Sequence, residues 1–246
     1  MNQEKQILLF GIPYAGASAI AVYSPWKRFL PASIKMVPLD LAGHGKRINE
    51  AFAPNVASVV RDLIDTIKAA ISDDQPYAIY GHSIGSTLSY ELVKGLTVEG
   101  CHEPLALFLS GRNPPHHPYR NCYLHLMDDE RFLQEIRKLG GTPDEFFKMK
   151  DLVATFLPIM RNDYRIIEQY EFECPIFRSK ADICFFKSDN DPLLSTDAVH
   201  EWKKYTRGSF KVKHYSGGHF FINDERQAIC DAIASELSLY LSGFAC

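Results

Sequence analysis

The sequence contains no apolar run that approaches the roughly 18 residues needed for a transmembrane helix. Its first residues are polar and lead directly into the apolar residues 7–10. They lack the basic segment, long apolar stretch and small-residue cleavage site of a signal peptide. These absences predict a soluble protein that lies in the cytoplasm and does not associate with a membrane.

An excess of charge of either sign is also lacking. The 27 Lys and Arg residues nearly balance the 30 Asp and Glu residues, which leaves a formal net charge of -3. The basic clusters are short, such as Lys203-Lys204, whereas binding to a phosphate backbone needs an extended basic surface. The composition therefore argues against a nucleic-acid partner.

The cysteines show no pattern of a structural site. There are six, at positions 101, 122, 174, 184, 230 and 246, and none forms a Cys-x-x-Cys pair. They are too thinly spread for a disulfide framework. Since no cysteines and histidines cluster at the spacing of a zinc site, we expect no bound metal.

Length and patterning indicate one α/β domain. The 246 residues, of which 46% are hydrophobic, suit a single core near the upper end of the usual size. Short apolar runs alternate with amphipathic segments, which is typical of a parallel sheet covered by helices. The predicted strands are 6–10, 35–39, 77–80, 105–110, 182–186 and 211–215. The predicted covering helices are 56–70, 84–96 and 226–241.

The alternation stops between residues 113 and 175, where only helical patterns occur. Within this region we predict helices over 129–139, 143–148 and 151–161, the last of which continues toward Tyr170. An insertion of this size between two strands commonly covers the active end of the sheet. We therefore predict a single domain over residues 1–246 with a helical lid insertion at about 113–175.

The most informative motif is Gly-His-Ser-Ile-Gly at residues 81–85. It lies between the apolar run that ends at Tyr80 and the helical pattern that begins at Ile84. Strand, tight turn and helix in this order form a nucleophile elbow, in which a strained serine is exposed above the sheet. Glycines on both sides permit the turn and the close packing of the helix. Ser83 is therefore the predicted nucleophile.

A serine nucleophile needs a general base, and the base needs a carboxylate that fixes its tautomer. For this elbow the chain order is serine, acid, histidine. His219 is the predicted base because Ser-Gly-Gly at 216–218 lets the preceding loop turn back over the sheet edge. The loop after the fifth strand offers Asp191 and Asp189 as the acid. We prefer Asp191, because the proline that follows it holds a fixed turn outside the strand.

The tetrahedral intermediate needs backbone N–H donors for its oxyanion. One donor is expected from Ile84, the residue after the nucleophile, and another from the loop after the first strand. Small residues in that loop, 11–18, leave the amides of Tyr14 and Ala15 open, whereas Pro13 has no N–H. A phosphate-binding loop is excluded, because neither glycine-rich phosphate motif occurs.

Seven motifs follow one another along nearly the whole chain. They are Ile-Pro-Tyr-Ala-Gly at 12–16, Leu-Ala-Gly-His-Gly-Lys-Arg at 41–47, the elbow at 81–85, Ser-Gly-Arg-Asn-Pro-Pro at 110–115, Leu-Gly-Gly-Thr-Pro at 139–143, Phe-Leu-Pro-Ile-Met-Arg-Asn-Asp-Tyr at 156–164, and Gly-Gly-His-Phe-Phe at 217–221. By their number and order, the chain resembles the stand-alone type II thioesterases of nonribosomal peptide and polyketide synthesis. It is also similar to the chain-releasing thioesterase of animal fatty acid synthesis.

The resemblance implies an α/β-hydrolase fold and the removal of stalled or wrongly primed acyl groups from acyl or peptidyl carrier protein domains. It implies a catalytic triad and an oxyanion hole, made up of Ser83 as nucleophile, Asp191 as acid, His219 as base, and the amides of Ala15 and Ile84. It implies no cofactor, because the phosphopantetheine arm that carries the acyl group belongs to the substrate.

Two positions depart from the family pattern: Ala42 stands where proline is common, and Lys187 where glycine is common. Three other functions remain open on the same fold. They are a generic carboxylesterase or lipase, an acyltransferase that passes the acyl group to an alcohol or amine, and a carrier-binding subunit without activity. The near-neutral surface fits a monomer, which we expect.

Overall fold

The computed structural model describes residues 6–117 and 123–241, so that Cys122 and Cys246 lie outside the described residues. Six strands run through the described part: β1 Ile7–Ile12, β2 Ile34–Pro38, β3 Tyr77–His82, β4 Ala106–Ser110, β5 Asp182–Ser188 and β6 Phe210–Tyr215. They pair in the order β2-β1-β3-β4-β5-β6, and every neighbouring pair is parallel. The predicted α/β fold with a central parallel sheet is confirmed.

Helices cover both faces of this sheet and the carboxyl ends of its strands. They are α1 Ala19–Tyr23, α2 Val56–Ala70, α3 Ile84–Val98, α4 Asp129–Leu139, α5 Asp144–Lys148, α6 Lys150–Glu168, α7 Thr196–His200 and α8 Arg226–Leu241. Helices α2 and α3 bury apolar side chains such as Leu63 and Leu92 in the core of one face. Helices α1 and α8 do so on the other, with Val22 and Ile233. Since both faces are covered, the sequences of the central strands are nearly continuous apolar runs.

Two strands extend beyond their predicted ends toward the functional edge. Strand β3 was predicted to stop at Tyr80, but Gly81 pairs with Ile12 and His82 with Ser110. Strand β5 likewise continues past residue 186 to Ser188. Glycine and polar residues are weak strand formers. The backbone hydrogen bonds of the sheet override this preference, so that the turn that carries Ser83 begins directly where β3 ends.

The insertion between β4 and β5 contains α4, α5 and α6, and its described residues include no strand of the sheet. The third predicted helix of the insertion is confirmed together with its continuation, because α6 runs from Lys150 to Glu168 through Pro158 without interruption. Proline removes one backbone hydrogen bond from a helix interior. The buried face of α6, with Ile159, Met160 and Tyr164, outweighs that loss.

The insertion has an apolar cluster of its own, centred on Phe132, Ile136, Met160 and Tyr164. The cluster also includes the partly buried Ala15 of the loop after β1, so the insertion packs against the carboxyl ends of the strands. Its role as a lid, and the limits of the domain, stay predictions. Of the helices in the described residues, none is long and apolar enough to cross a membrane.

Candidate active site

Ser83 occupies the turn between β3 and α3, with φ 58° and ψ -120°. This is a backbone conformation that residues other than glycine rarely adopt. A β-carbon on Gly81 would stand 2.5 Å from the carbonyl carbon of Gly85. One on Gly85 would stand 2.9 Å from the carbonyl oxygen of Pro13. The two glycines therefore let α3 pack against its own strand and against the end of β1.

The structure brings Ser83, His219 and Asp191 into one chain of hydrogen bonds. His219 Nε2 lies 3.1 Å from Ser83 Oγ, and His219 Nδ1 lies 2.8 Å from Asp191 Oδ2. A carboxylate only accepts, so Nδ1 carries the proton and Nε2 is free to accept from the serine hydroxyl. This is the tautomer that a general base acting on Ser83 requires.

The two acid candidates of the sequence are separated by the structure. Asp191 is buried, and its second oxygen, Oδ1, accepts the backbone N–H of Leu193 at 2.9 Å. Asp189 is mostly exposed and lies 2.9 Å from His214 Nδ1 instead. Lys187, the departure from the family pattern, lies 3.5 Å from Asp189. The unusual lysine thus faces Asp189 and leaves Asp191 to His219.

The predicted oxyanion donors lie on two neighbouring segments. Ile84 opens α3, where the first backbone N–H groups have no partner within the helix. In the loop after β1, the Gly16 N–H is bound by Asp163 and the Ala17 N–H by the Tyr14 carbonyl. No described residue accepts the N–H of Ala15 in a hydrogen bond. Both predicted donors are thus available, and their role stays a prediction.

His82 was not predicted from the sequence as part of the site. Its ring is fully buried and lies 4.9 Å, centroid to centroid, from that of His219. His82 Nδ1 lies 2.8 Å from Ser110 Oγ, which lies 2.8 Å from the Tyr80 hydroxyl. Burial, and next the nearby His219, lower the pKa of His82 well below its usual value of 6.5. A neutral imidazole therefore packs beside His219, the predicted base, without adding a second charge.

The insertion contacts the site at two points. Met160 of α6 occupies the place where a β-carbon of Gly16 would stand. Gly141 lies between α4 and α5, and a β-carbon on it would stand 2.3 Å from the ring of Phe220. The Phe220 ring in turn packs edge-on against His219. Helix α6 therefore covers residues 13–18 after β1, which carry the predicted donor Ala15 and are called the oxyanion loop, while the α4–α5 turn covers the loop that carries His219.

One group of side chains in the described residues is compact enough to hold a metal ion: His116, His117 and Glu201. These groups already have partners. Glu201 pairs with Lys204, and His116 Nδ1 lies 2.6 Å from the Tyr205 hydroxyl. The hydrogen bond of Lys204, followed by that of His116, lowers the pKa of Glu201 to about 2. We interpret the group as a surface ion-pair cluster, and the absence of a metal site stays a prediction.

Comparisons with known proteins agree on one family. The family model described as "Thioesterase domain" matches residues 8–237. The linear gramicidin dehydrogenase LgrE of Brevibacillus parabrevis is 32% identical over 99% of this chain and 92% of its own. Its name is that of a dehydrogenase, whereas the family model is that of a thioesterase. The present sequence also lacks the glycine fingerprint of dinucleotide binding.

Solved structures give the same result. ClbQ from the colibactin nonribosomal peptide and polyketide pathway has a TM-score of 0.91 and 34% identity, over 96% of this chain and 98% of its own. The type II thioesterase BorB from the borrelidin biosynthetic cluster has a TM-score of 0.84 and 30% identity, over 96% and 94%. Similarity of this extent involves the insertion as well as the sheet.

Proposed function

The chain belongs to the thioesterase family and is a hydrolase of acyl thioesters, and from this premise we propose how it works and on what. Its substrates are acyl groups held on the phosphopantetheine arm of carrier protein domains in a nonribosomal peptide or polyketide synthase. It removes those that are stalled or wrongly primed. Ser83, His219 and Asp191 carry out the chemistry, and all three come from one chain, so the site needs no second subunit, which fits the expected monomer.

In the first half of the reaction, Ser83 Oγ attacks the thioester carbonyl carbon while His219 Nε2 takes the hydroxyl proton. The carbonyl oxygen becomes an oxyanion that accepts from the N–H groups of Ala15 and Ile84. Asp191 steadies the imidazolium. Collapse of the intermediate breaks the carbon–sulfur bond, and the pantetheine sulfur leaves with the proton from His219. The acyl group is then an ester of Ser83.

In the second half, His219 takes a proton from a water molecule, whose oxygen attacks the ester of Ser83. The same two amides stabilise the second oxyanion. His219 returns the proton to the leaving serine oxygen, and the free acid departs. Side chains of the enzyme and one water molecule supply every proton and nucleophile, so the proposed mechanism needs no cofactor.

The observation that carries this proposal is the hydrogen-bond chain from the buried Asp191 through the buried His219 to the partly buried Ser83, at 2.8 Å and 3.1 Å, with a strained serine at its end. A protein that only bound carriers would have no use for a strained nucleophile. ClbQ belongs to a nonribosomal peptide and polyketide pathway, and BorB to a borrelidin cluster. These relatives support a carrier-borne substrate.

Intact-mass spectrometry of acyl-carrier proteins before and after exposure to the enzyme tests the proposal. A panel that varies the acyl group should lose the acyl mass and regain free pantetheine, and the acyl group should appear as free acid. Oxygen esters of the same acyl groups provide the comparison. Faster hydrolysis of the oxygen esters would indicate a generic esterase. Acyl product on an added alcohol or amine would indicate an acyltransferase, and an unchanged panel a binding subunit.

A further inference from the structure

A buried carboxylate of the insertion reaches the oxyanion loop. Asp163 lies in α6 and is 1% exposed. Its Oδ2 accepts the backbone N–H of Gly16 at 2.7 Å and lies 2.8 Å from Nε2 of His44, which is on the loop after β2. One oxygen atom therefore joins three segments. Asp163 and Gly16 are 147 positions apart in the sequence.

The partners of His44 fix its protonation. The ring is 2% exposed, and Nδ1 lies 3.0 Å from the carbonyl oxygen of Ala42. A carbonyl and a carboxylate only accept hydrogen bonds, so both ring nitrogens must carry protons. Burial lowers the pKa of His44, but Asp163, followed by the Ala42 carbonyl and Asp40, raises it above the usual 6.5 overall. Asp163 thus binds Gly16 as a carboxylate that is neutralised by an imidazolium.

This contact restrains the peptide next to the predicted oxyanion donor. Gly16 directly follows Ala15, and the Ala17 N–H closes the turn on the Tyr14 carbonyl at 3.2 Å. Met160 lies one helical turn before Asp163 and fills the space beside Gly16. The middle of the loop is therefore held by this internal hydrogen bond and by α6, while Asp40 holds its end at Ser18 and Phe220 packs against Tyr14. The direction of the Ala15 N–H therefore depends on how α6 packs against Gly16.

We propose that Asp163, held in place by His44, is a positioning residue of the oxyanion hole. Its hydrogen bond to Gly16 connects α6 to the oxyanion loop, which carries the Ala15 donor. The oxyanion hole is then complete only while α6 packs against the oxyanion loop. Turnover therefore requires the insertion to be in the position that the structure shows. This inference rests on the proposed function, because it needs Ala15 to act as a donor during acyl transfer.

Helix α6 offers a matched control. Glu168 is a second carboxylate on α6 whose side chain is 1% exposed. It accepts the backbone N–H groups of Leu124 at 2.8 Å and His125 at 3.1 Å, and it pairs with the ring of His125. Glu168 therefore makes the same kinds of contact as Asp163, but within the insertion. Loss of either carboxylate should loosen the insertion, and only loss of Asp163 should free the oxyanion loop.

The experiment compares Asp163→Ala and Glu168→Ala with the full-length wild type on an acyl-pantetheine thioester. Loss of a whole oxyanion donor lowers kcat about 10²- to 10³-fold, so loss of its support should lower kcat about 10- to 100-fold with little change in KM. Glu168→Ala should keep kcat within about threefold, because its contacts lie away from the loop. Both variants should show a lower Tm.

A second readout separates positioning from stability. A trifluoromethyl ketone analogue of the substrate forms a tetrahedral adduct whose oxygen occupies the oxyanion hole. Its affinity should fall in Asp163→Ala in parallel with kcat, and should be retained in Glu168→Ala. Asp163→Asn keeps an oxygen that can accept the Gly16 N–H, so it should recover most of the lost affinity and turnover. Equal losses in Asp163→Ala and Glu168→Ala would overturn the proposal.

A fluorophosphonate probe, which reacts with activated serines, distinguishes failure of this inference from failure of the proposed function. If the wild type is not labelled at Ser83, the proposed function fails. If the wild type is labelled and Asp163→Ala reacts at the same rate, only the positioning role fails. Amide hydrogen exchange of the wild type gives a test without substitution. The Gly16 N–H should be as protected from exchange as the amides of α6. Exchange as fast as that of an exposed loop would contradict a persistent hydrogen bond between Gly16 and Asp163.

Discussion

Gly111 lies in tight contact with the imidazole of His219, and the ring of His82 beside it leaves no room for a side chain. A β-carbon on Gly111 would stand 3.1 Å from His219 Cε1 and 2.6 Å from His82 Cε1. Gly111 follows the last residue of β4 and has φ +69°, which also favours glycine. The end of β4 therefore sets the position of the proposed general base from the side.

Replacing Gly111 by alanine should displace the ring of His219 or His82. A catalytic group that moves by about 1 Å can lose about 10²-fold in rate, so Gly111→Ala should lower kcat by about 10- to 100-fold. Gly100→Ala is the matched control, because Gly100 has φ +78° and no atom near its missing β-carbon. Steady-state kinetics should show the loss only in Gly111→Ala, although both variants lose stability. An equal kcat in the two variants would contradict the steric argument.

Asp191 and Asp189 should differ strongly in mutational effect. Asp191→Asn keeps the geometry but favours the wrong tautomer of His219, which lowers kcat about 10⁴-fold in a serine triad. Asp189→Asn should change kcat only by a small factor, because Asp189 is largely exposed and pairs with His214. The measurement is kcat for both variants on one thioester. The reverse ranking would assign the acid to Asp189.

Met160 should help to set the length of acyl group that the site accepts. It is buried and lies against the oxyanion loop at Gly16, so Met160→Ala should open space beside the reacting carbonyl. We expect the chain-length profile of kcat/KM to shift toward longer or bulkier acyl groups. Met149→Ala makes the same truncation at an exposed position of the insertion and should leave the profile unchanged. Identical profiles for both variants would leave the insertion as a cover without a part in selection.

The sheet and several helices were predictable because their signals are local. Helices Val56–Ala70, Asp129–Leu139 and Arg226–Leu241 have the predicted bounds, since each shows a periodic apolar pattern over at least three turns. The nucleophile, base and acid candidates were also chosen from local signals: an elbow motif, a glycine pair and an aspartate before a proline. The structure joins these three residues in one chain, in which His219 lies within hydrogen-bond distance of both Ser83 and Asp191.

The roles of His82 and Asp163 could not be predicted in the same way. Each depends on a contact between segments far apart in the chain, such as Ser110 for His82 and Gly16 for Asp163. No periodicity or spacing records such a contact. The helical pattern did predict α6 through Pro158. Local propensity alone favours a break there, and the tertiary packing of the helix outweighs it.

Stability should depend on the protonation of His44. Its folded pKa lies above 6.5, because Asp163 of α6, Asp40 after β2 and the Ala42 carbonyl offset the effect of burial. The stabilisation is therefore complete below the unfolded pKa and is lost as the pH rises through the folded pKa. Urea unfolding of wild type and His44→Gln should show a difference in unfolding free energy that shrinks from pH 6 to pH 9. A difference that is constant or grows with pH would contradict a charged His44.

The central claim is that the acyl group passes from the carrier to Ser83 and then to water. Rapid mixing with one equivalent of acyl-carrier, quenching, and intact-mass spectrometry of both proteins tests it most directly. For the wild type, the carrier should lose the acyl mass while the enzyme gains it transiently on Ser83. Ser83→Ala should stay folded, form no adduct and turn over several orders of magnitude more slowly. Deacylation by Ser83→Ala at the rate of the wild type, or an adduct on another residue, would contradict the account.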